Sequence, residues 1–196
     1  GIISSVVPQI TTIVKLAVEK ILKKNVLVVG AGIKTGLNIR IDNPAQLGSD
    51  LVVDSVAAIV EYPAPLLIFD LGTANTVCVI DKNKNYIGGM IYPGIGVSLD
   101  SLTAHASQLG GISIEAPEHM IGKNTTECMK SGLIYSSAAA MDGIIDRLQE
   151  QLGGEATVIA TGGLAKKIVS HCRREIILDD DLLLKGLAII YKKNRK

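Results

Sequence analysis

Apolar residues change their spacing several times along the chain, and each change marks a new element. Ile2 to Val7 is a short apolar run ended by Pro8, which predicts a strand. In "QITTIVKLAVEKILKK" the residues Ile10, Ile13, Val14, Ala17 and Ile21 recur at helical spacing, and "VLVVG" predicts a strand after them. The stretch "AGIKTGLNIRIDNPAQLG" is rich in Gly, Asn and Pro and predicts a long loop. Asp50 to Tyr62 then reads as a helix that stops before Pro63. Pro63 and Pro65 mark a boundary, so the pattern predicts two domains, residues 1–64 and 65–196.

Beyond that boundary "LLIFDLGTANTVCVIDKNK" predicts two apolar strands about a turn, and "YIGGMIYPG" adds a third after the hairpin "DKNKN". Helices are expected at "VSLDSLTAHASQL" and from about Thr126 to Leu152. Strand "ATVIATGG", helix "LAKKIVSHC", strand "EIILD" and a closing helix through "DLLLKGLAIIYKK" complete the order. A three-stranded meander followed by helix, strand, helix, strand and helix resembles a ribonuclease-H-like domain, the repeated unit of sugar kinases, actin and the 70-kDa heat-shock proteins. The expected class is α/β with a mixed sheet. The first half supplies only strand, helix, strand, helix, the later part of such a domain, and the chain is expected to lack that domain's opening.

Composition narrows the function. Of the residues 47% are apolar and only 3% aromatic, the content of a buried sheet covered by helices. A formal net charge of +1, with no interleaved basic and aromatic residues, speaks against nucleic acid as a partner. Cys78, Cys128 and Cys172 form no CxxC pair and suggest reduced thiols rather than a zinc site or a disulfide framework. No apolar run reaches the roughly 18 residues of a membrane span, and no basic leader precedes the apolar start, so no membrane partner and a cytoplasmic location are expected. His105, His119 and His171 are scattered and read as surface or cap residues.

The chemistry centres on Asp70. An apolar strand that delivers a carboxylate into a D-x-G turn needs a partner for the charge. Asp70, Gly72 and Thr73 suit a turn whose backbone N–H groups face phosphate while the carboxylate holds a metal or its water shell. The other reading is that Asp70 caps a hairpin. In "VIATGGLA" a strand ends in Gly162 and Gly163 where a helix begins, which allows a purine and ribose to lie against backbone, although a plain glycine helix entry has the same pattern. Their order within one domain pattern favours nucleotide binding.

"ISSVVP", "KTGLNIRIDNP", "GSD", "DLGTANT", "YIGGMIYPGIGVSLDSL", "IGKNTTECMKSG" and "ATGGLA" together resemble the type III pantothenate kinases, which phosphorylate pantothenate in the first step of coenzyme A synthesis. The resemblance spans the whole chain. It implies that Asp50, in the element Gly48-Ser49-Asp50-Leu51, is the catalytic base toward the pantothenate hydroxyl; the residues alone also allow a helix N-terminal carboxylate. It implies that Asp70 ligates a monovalent cation, K⁺ or NH₄⁺, that Thr73 contacts ATP used with Mg²⁺, and that Thr125 contacts the acceptor. Without the family Thr125 reads as the N-cap of the long helix. Lys123 reads as a solvated loop lysine, and "IYPGI" as a turn that could also line the substrate cleft.

Three positions depart from the family pattern. Leu51 stands where an Arg would clamp the pantothenate carboxylate, Ile41 where a substrate-contacting Tyr is common, and Asp54 in place of an Asn. The family's first phosphate turn is not in this sequence, and a chain with one turn is expected to be inactive alone. Two further readings follow from these departures: a kinase-like protein that binds nucleotide without turnover, and a related kinase with a different acceptor. Family members are homodimers, and "SGLIYSSAAAMDGIIDRL" offers small residues suited to close helix packing across a two-fold axis or to burial within one subunit.

Overall fold

The computed structural model describes residues 1–195. In chain order its elements are β1 (Ile2–Ile3), α1 (Pro8–Leu22), β2 (Leu27–Val28), β3 (Asn38–Ile39), a 3₁₀ turn (Pro44–Gln46), α2 (Ser49–Glu61), β4 (Leu66–Leu71), β5 (Ala74–Ile80), β6 (Asn85–Pro93), α3 (Ile95–His105), α4 (Thr125–Leu152), β7 (Thr157–Thr161), α5 (Ala165–Val169), β8 (Ile177–Leu178) and α6 (Leu182–Asn194). Six strands hydrogen-bond in the order β3-β6-β5-β4-β7-β8, while β1 and β2 pair separately and parallel. The links β4–β5 and β5–β6 are too short for a crossover, so these strands form an antiparallel meander. β3 runs parallel to β6 and β7 parallel to β8, which makes the sheet mixed. A meander followed by β7 and β8 is the ribonuclease-H-like order that the apolar pattern predicted.

β4 shows why the pattern is so readable. Every residue of "LLIFDL" is buried except Asp70, which is half-buried, as befits a central strand covered on both faces. The turn from β5 to β6 is set by Asp81, whose Oδ1 accepts the backbone N–H groups of Asn83 and Asn85, both at 2.8 Å.

The expected long loop is not structureless. Asn38 and Ile39 pair with Asn85 and Tyr86, and Arg40 N donates to Tyr86 O at 2.8 Å. The partner strand is 47 residues further along, so Gly, Asn and Pro in the local sequence could not reveal it. β1 is shorter than its apolar run: it ends at Ile3, and Thr11 Oγ1, early in α1, donates to Ser5 Oγ at 2.7 Å. Pro8 opens α1 at its first turn. α5 and β8 are also shorter than expected.

The described chain divides into two compact units. The first comprises residues 1–66, 78–88 and 181–195. The division expected after residue 64 lies near the end of its first stretch, and the β5–β6 turn and α6 belong with it. Its core joins Val29, Val53, Val56 and Ile190, with Ile2, Leu37 and Leu187 packed against them. Helices α2 and α6 approach closely at Gly186, where a Cβ would stand 2.7 Å from Val53 Cγ1 and collide with Val53 O. The apolar stripe of α1 is uncovered: Ile10, Ile13 and Ile21 are 51, 67 and 78% exposed.

The second unit comprises residues 67–77 and 89–180. Its core includes Ile95, Leu99, Met129, Leu133 and Ile134 of α3 and α4. α4 is capped by Asn124, whose Oδ1 accepts from Glu127 N at 3.0 Å, while Glu127 Oε2 accepts from Lys123 N at 2.9 Å. This reciprocal arrangement takes the cap from Thr125, the residue expected there, because Asn124 holds the extended backbone that a cap requires. His171, expected as a surface or cap residue, is half-buried with its ring edge-on to Tyr135 at 5.1 Å. No helix among the described residues is long and apolar enough to cross a membrane.

Substituting Gly186→Ala should overpack the α2–α6 contact and cost about 1–3 kcal/mol. Urea unfolding should show a lower midpoint with an unchanged slope.

Candidate active site

In the second unit β4 ends at Leu71, Gly72 and Thr73 turn the chain, and β5 leaves at Ala74. The N-terminus of α3 is drawn onto this turn: Gly94 N donates to Thr73 O at 3.0 Å. A Cβ on Gly94 would collide with the carbonyl oxygens of Gly72 and Thr73, so only glycine permits the approach. No side chain caps α3, whose first N–H groups carry the positive end of the helix dipole.

The second close approach joins the two sequence motifs. Gly162 follows β7 with φ +99, and a Cβ there would stand 2.6 Å from both Asp70 Oδ1 and Leu71 O. Leu164 N donates to Leu71 O at 3.3 Å, which ties the glycine pair to the end of β4. Between these parts lies an open depression of about 420 Å³, walled by Gly72 and Thr73, by Gly96, Val97 and Asp100 of α3, and by Gly163 and Leu164. The structure therefore brings Asp70, Gly72, Thr73, Gly162 and Gly163 together, with Asp70 half-buried rather than sealed under aliphatic side chains. Sequence reasoning placed Gly94 in the "IYPGI" turn that could also line a cleft, and missed Gly96 and Asp100. The signal was Gly96, directly after that segment and at the start of a helix.

Thr125 lies in a different depression of the same unit. An apolar groove of about 740 Å³ runs between α3 and α4, with Thr125, Cys128, Leu102 and Leu109 among its walls. Val97 lines both this groove and the smaller depression.

The remaining expected residues belong to the first unit. Asp50 sits in the first turn of α2, and its Oδ1 accepts Leu51 N at 2.9 Å, so it does act locally as a helix N-terminal carboxylate. Gly48 lies against that oxygen, with no room for a Cβ. Ser49 Oγ accepts from Ser4 Oγ at 2.9 Å and donates to Ser5 O at 3.2 Å, so its hydroxyl fastens the chain after β1. Leu51 and Ile41 are half-buried. One turn below Asp50, Asp54 and Ser55 are 1 and 0% exposed, a buried polar pair that the helical pattern did not single out.

No group of three or more His, Cys, Asp or Glu that could hold a metal occurs among the described residues. The three cysteines are free and differ in environment. Burial pushes the Cys78 thiol up to about 12, and burial aided by the Asp142 charge does the same to Cys172. Cys128 is exposed. Because the thiolate is the nucleophile, iodoacetamide at mildly alkaline pH should alkylate Cys128 in the native protein, and Cys78 and Cys172 only after unfolding. Peptide mass spectrometry checks this; rapid native labelling of Cys78 would contradict its burial.

Comparison with known proteins bears on this geometry. The type III pantothenate kinase family profile matches residues 1–147. The type III pantothenate kinase of Bacillus cytotoxicus is 46% identical over 193 residues, 98% of this chain and 74% of the relative. That of an Exiguobacterium species is 44% identical over 195 residues, 100% of this chain and 76% of the relative. Among solved structures, a Campylobacter jejuni protein described as a conserved Baf family transcriptional activator superimposes with a TM-score of 0.63 at 20% identity, covering 98% of this chain and 82% of its own. That likeness supports the fold. The profile match and the two close relatives carry the further step: this chain belongs to the type III pantothenate kinase family.

Proposed function

We propose that the protein transfers the γ-phosphoryl group of ATP to the primary hydroxyl of pantothenate, giving 4′-phosphopantothenate and ADP in the cytoplasm. The observation that carries this reading is the convergence of the Asp70–Thr73 turn, the uncapped α3 N-terminus and the Gly162–Gly163 bend on one open depression. Backbone donors without side chains in the way suit phosphate oxygens. Gly162 and Gly163 offer a flat wall to the nucleoside. Thr73 adds a hydroxyl at the phosphate edge.

Asp50 would accept the proton as the hydroxyl oxygen attacks the γ-phosphorus and the bond to the bridging ADP oxygen breaks. Gly48, Ser49, Leu51, Ile41 and Thr125 are the proposed acceptor contacts. Asp70 would hold the monovalent cation, K⁺ or NH₄⁺. Its half-buried carboxylate is a hard oxygen donor of the kind such a cation takes, and Mg²⁺ would be carried by the phosphates. Bound Mg²⁺ supplies neutralisation of charge on the transferring group. A homodimer built on α4 belongs to the same reading. Met129, Leu133, Ile134, Met141 and Ile145 are buried within the unit, and Gly132, Ser136, Ala139 and Ala140 remain exposed for a partner helix.

A second reading, nucleotide binding without turnover, is favoured by Leu51 and Ile41. Both place aliphatic groups where the family holds substrate with polar ones.

Incubation with ATP, Mg²⁺, K⁺ and pantothenate should yield phosphopantothenate by mass spectrometry, and Asp50→Asn should lower kcat by about 10²–10⁴-fold. ATP binding with no product would establish the second reading instead. Leu51→Arg should lower KM for pantothenate by about 10- to 100-fold, the range for hydrogen bonds to a charged group, with little change in kcat. An unchanged KM would remove position 51 from the acceptor pocket.

A further inference from the structure

We infer that Asp100 recognises the ribose of the nucleotide, accepting hydrogen bonds from its vicinal hydroxyls and so setting a preference for ribonucleotides. The inference rests on the phosphoryl-transfer reading of the depression beside Thr73.

Asp100 is the one ionisable side chain among the residues that line this depression. Asp100 is exposed, and Thr103 Oγ1 donates to its backbone carbonyl at 3.0 Å rather than to its carboxylate. The α3 helix supplies a ruler. Gly96 lies in the first turn, against the phosphate edge, and Asp100 follows four residues later on the same face, about 6 Å along the axis. That is the step from a 5′-phosphate to the secondary hydroxyls of its sugar. A carboxylate at that distance repels a second anion, and an acceptor-only group requires donors from its ligand. Neutral vicinal hydroxyls meet both conditions. On the opposite wall Gly163 presents backbone without a side chain, and no atom beyond its chain neighbours lies within 4 Å of where its Cβ would stand, which leaves width for a sugar ring.

A carboxylate beside phosphates could instead hold a water of the Mg²⁺ shell, and the two roles separate by experiment. Dissociation constants for ATP and 2′,3′-dideoxy-ATP are measured by calorimetry on the full chain and on Asp100→Ala and Asp100→Asn, with kcat/KM alongside. The wild type should bind ATP about 10- to 100-fold more tightly than the dideoxy analogue, the range for hydrogen bonds to a charged group. Asp100→Ala should abolish that preference by weakening ATP alone, and Asp100→Asn, which keeps one acceptor oxygen, should retain part of it. Equal weakening of both nucleotides, or a wild type with no preference, overturns the inference; the first outcome assigns Asp100 to the metal shell. Ribose preference lost in Asp100→Ala without any phosphopantothenate would sink the kinase reading and leave this one standing. Phosphopantothenate formation with an intact preference in Asp100→Ala would do the reverse. Absence of nucleotide binding in the wild type overturns both. Asp100 is exposed, so thermal melting of the variants should match the wild type and exclude misfolding as the cause.

Discussion

Two places where backbone meets backbone with no space for a Cβ hold the candidate site together. At one, Gly94 brings the start of α3 onto the Gly72–Thr73 turn; at the other, Gly162 lies against Asp70 and Leu71. Each contact puts main-chain polar groups at the surface of the depression in place of side chains. Polar groups left without partners in a folded interior are costly, and the open depression keeps the uncapped start of α3 at the surface, beside a half-buried carboxylate.

The placement of charge follows from this. Asp70 is the single half-buried position in a strand whose other residues are buried, so the sheet itself carries a carboxylate to the edge of the cleft. Asp100 puts a second carboxylate one helical turn from the donor-rich end of α3. The separation matters because a carboxylate next to phosphate repels it, whereas one a turn away can accept hydrogen bonds from the neutral part of the same molecule. In the other unit, Asp50 Oδ1 accepts the backbone N–H of Leu51 within its own helix.

Much of the architecture was legible because the apolar pattern is strong. "LLIFDL" could hardly be anything but a central strand, and the meander followed by alternating strands and helices specified the sheet order. β3 was hidden because its two residues pair with a strand far along the chain, and nothing local marks that contact. The α4 cap moved from Thr125 to Asn124 for a similar reason: adjacent residues of near-equal capping tendency are separated only by the backbone conformation each adopts. The uncovered stripe of α1 shows the converse, since periodicity announces a helix and a face but not what packs on it.

For the candidate site, the sequence by itself determined the chemistry available: a carboxylate before a glycine turn, paired glycines after a strand, and a set of motifs that resemble one kinase family. Residue types and short-range spacing carry that information because turn geometry and nucleophile chemistry are local. Only the tertiary structure decided that Gly162 lies against Asp70, that Gly94 seats α3 on the Gly72–Thr73 turn, and that Asp100 lines the depression beside that turn. These are contacts across long stretches of chain, selected by how strands and helices pack, and packing depends on the whole sequence at once rather than on any segment of it.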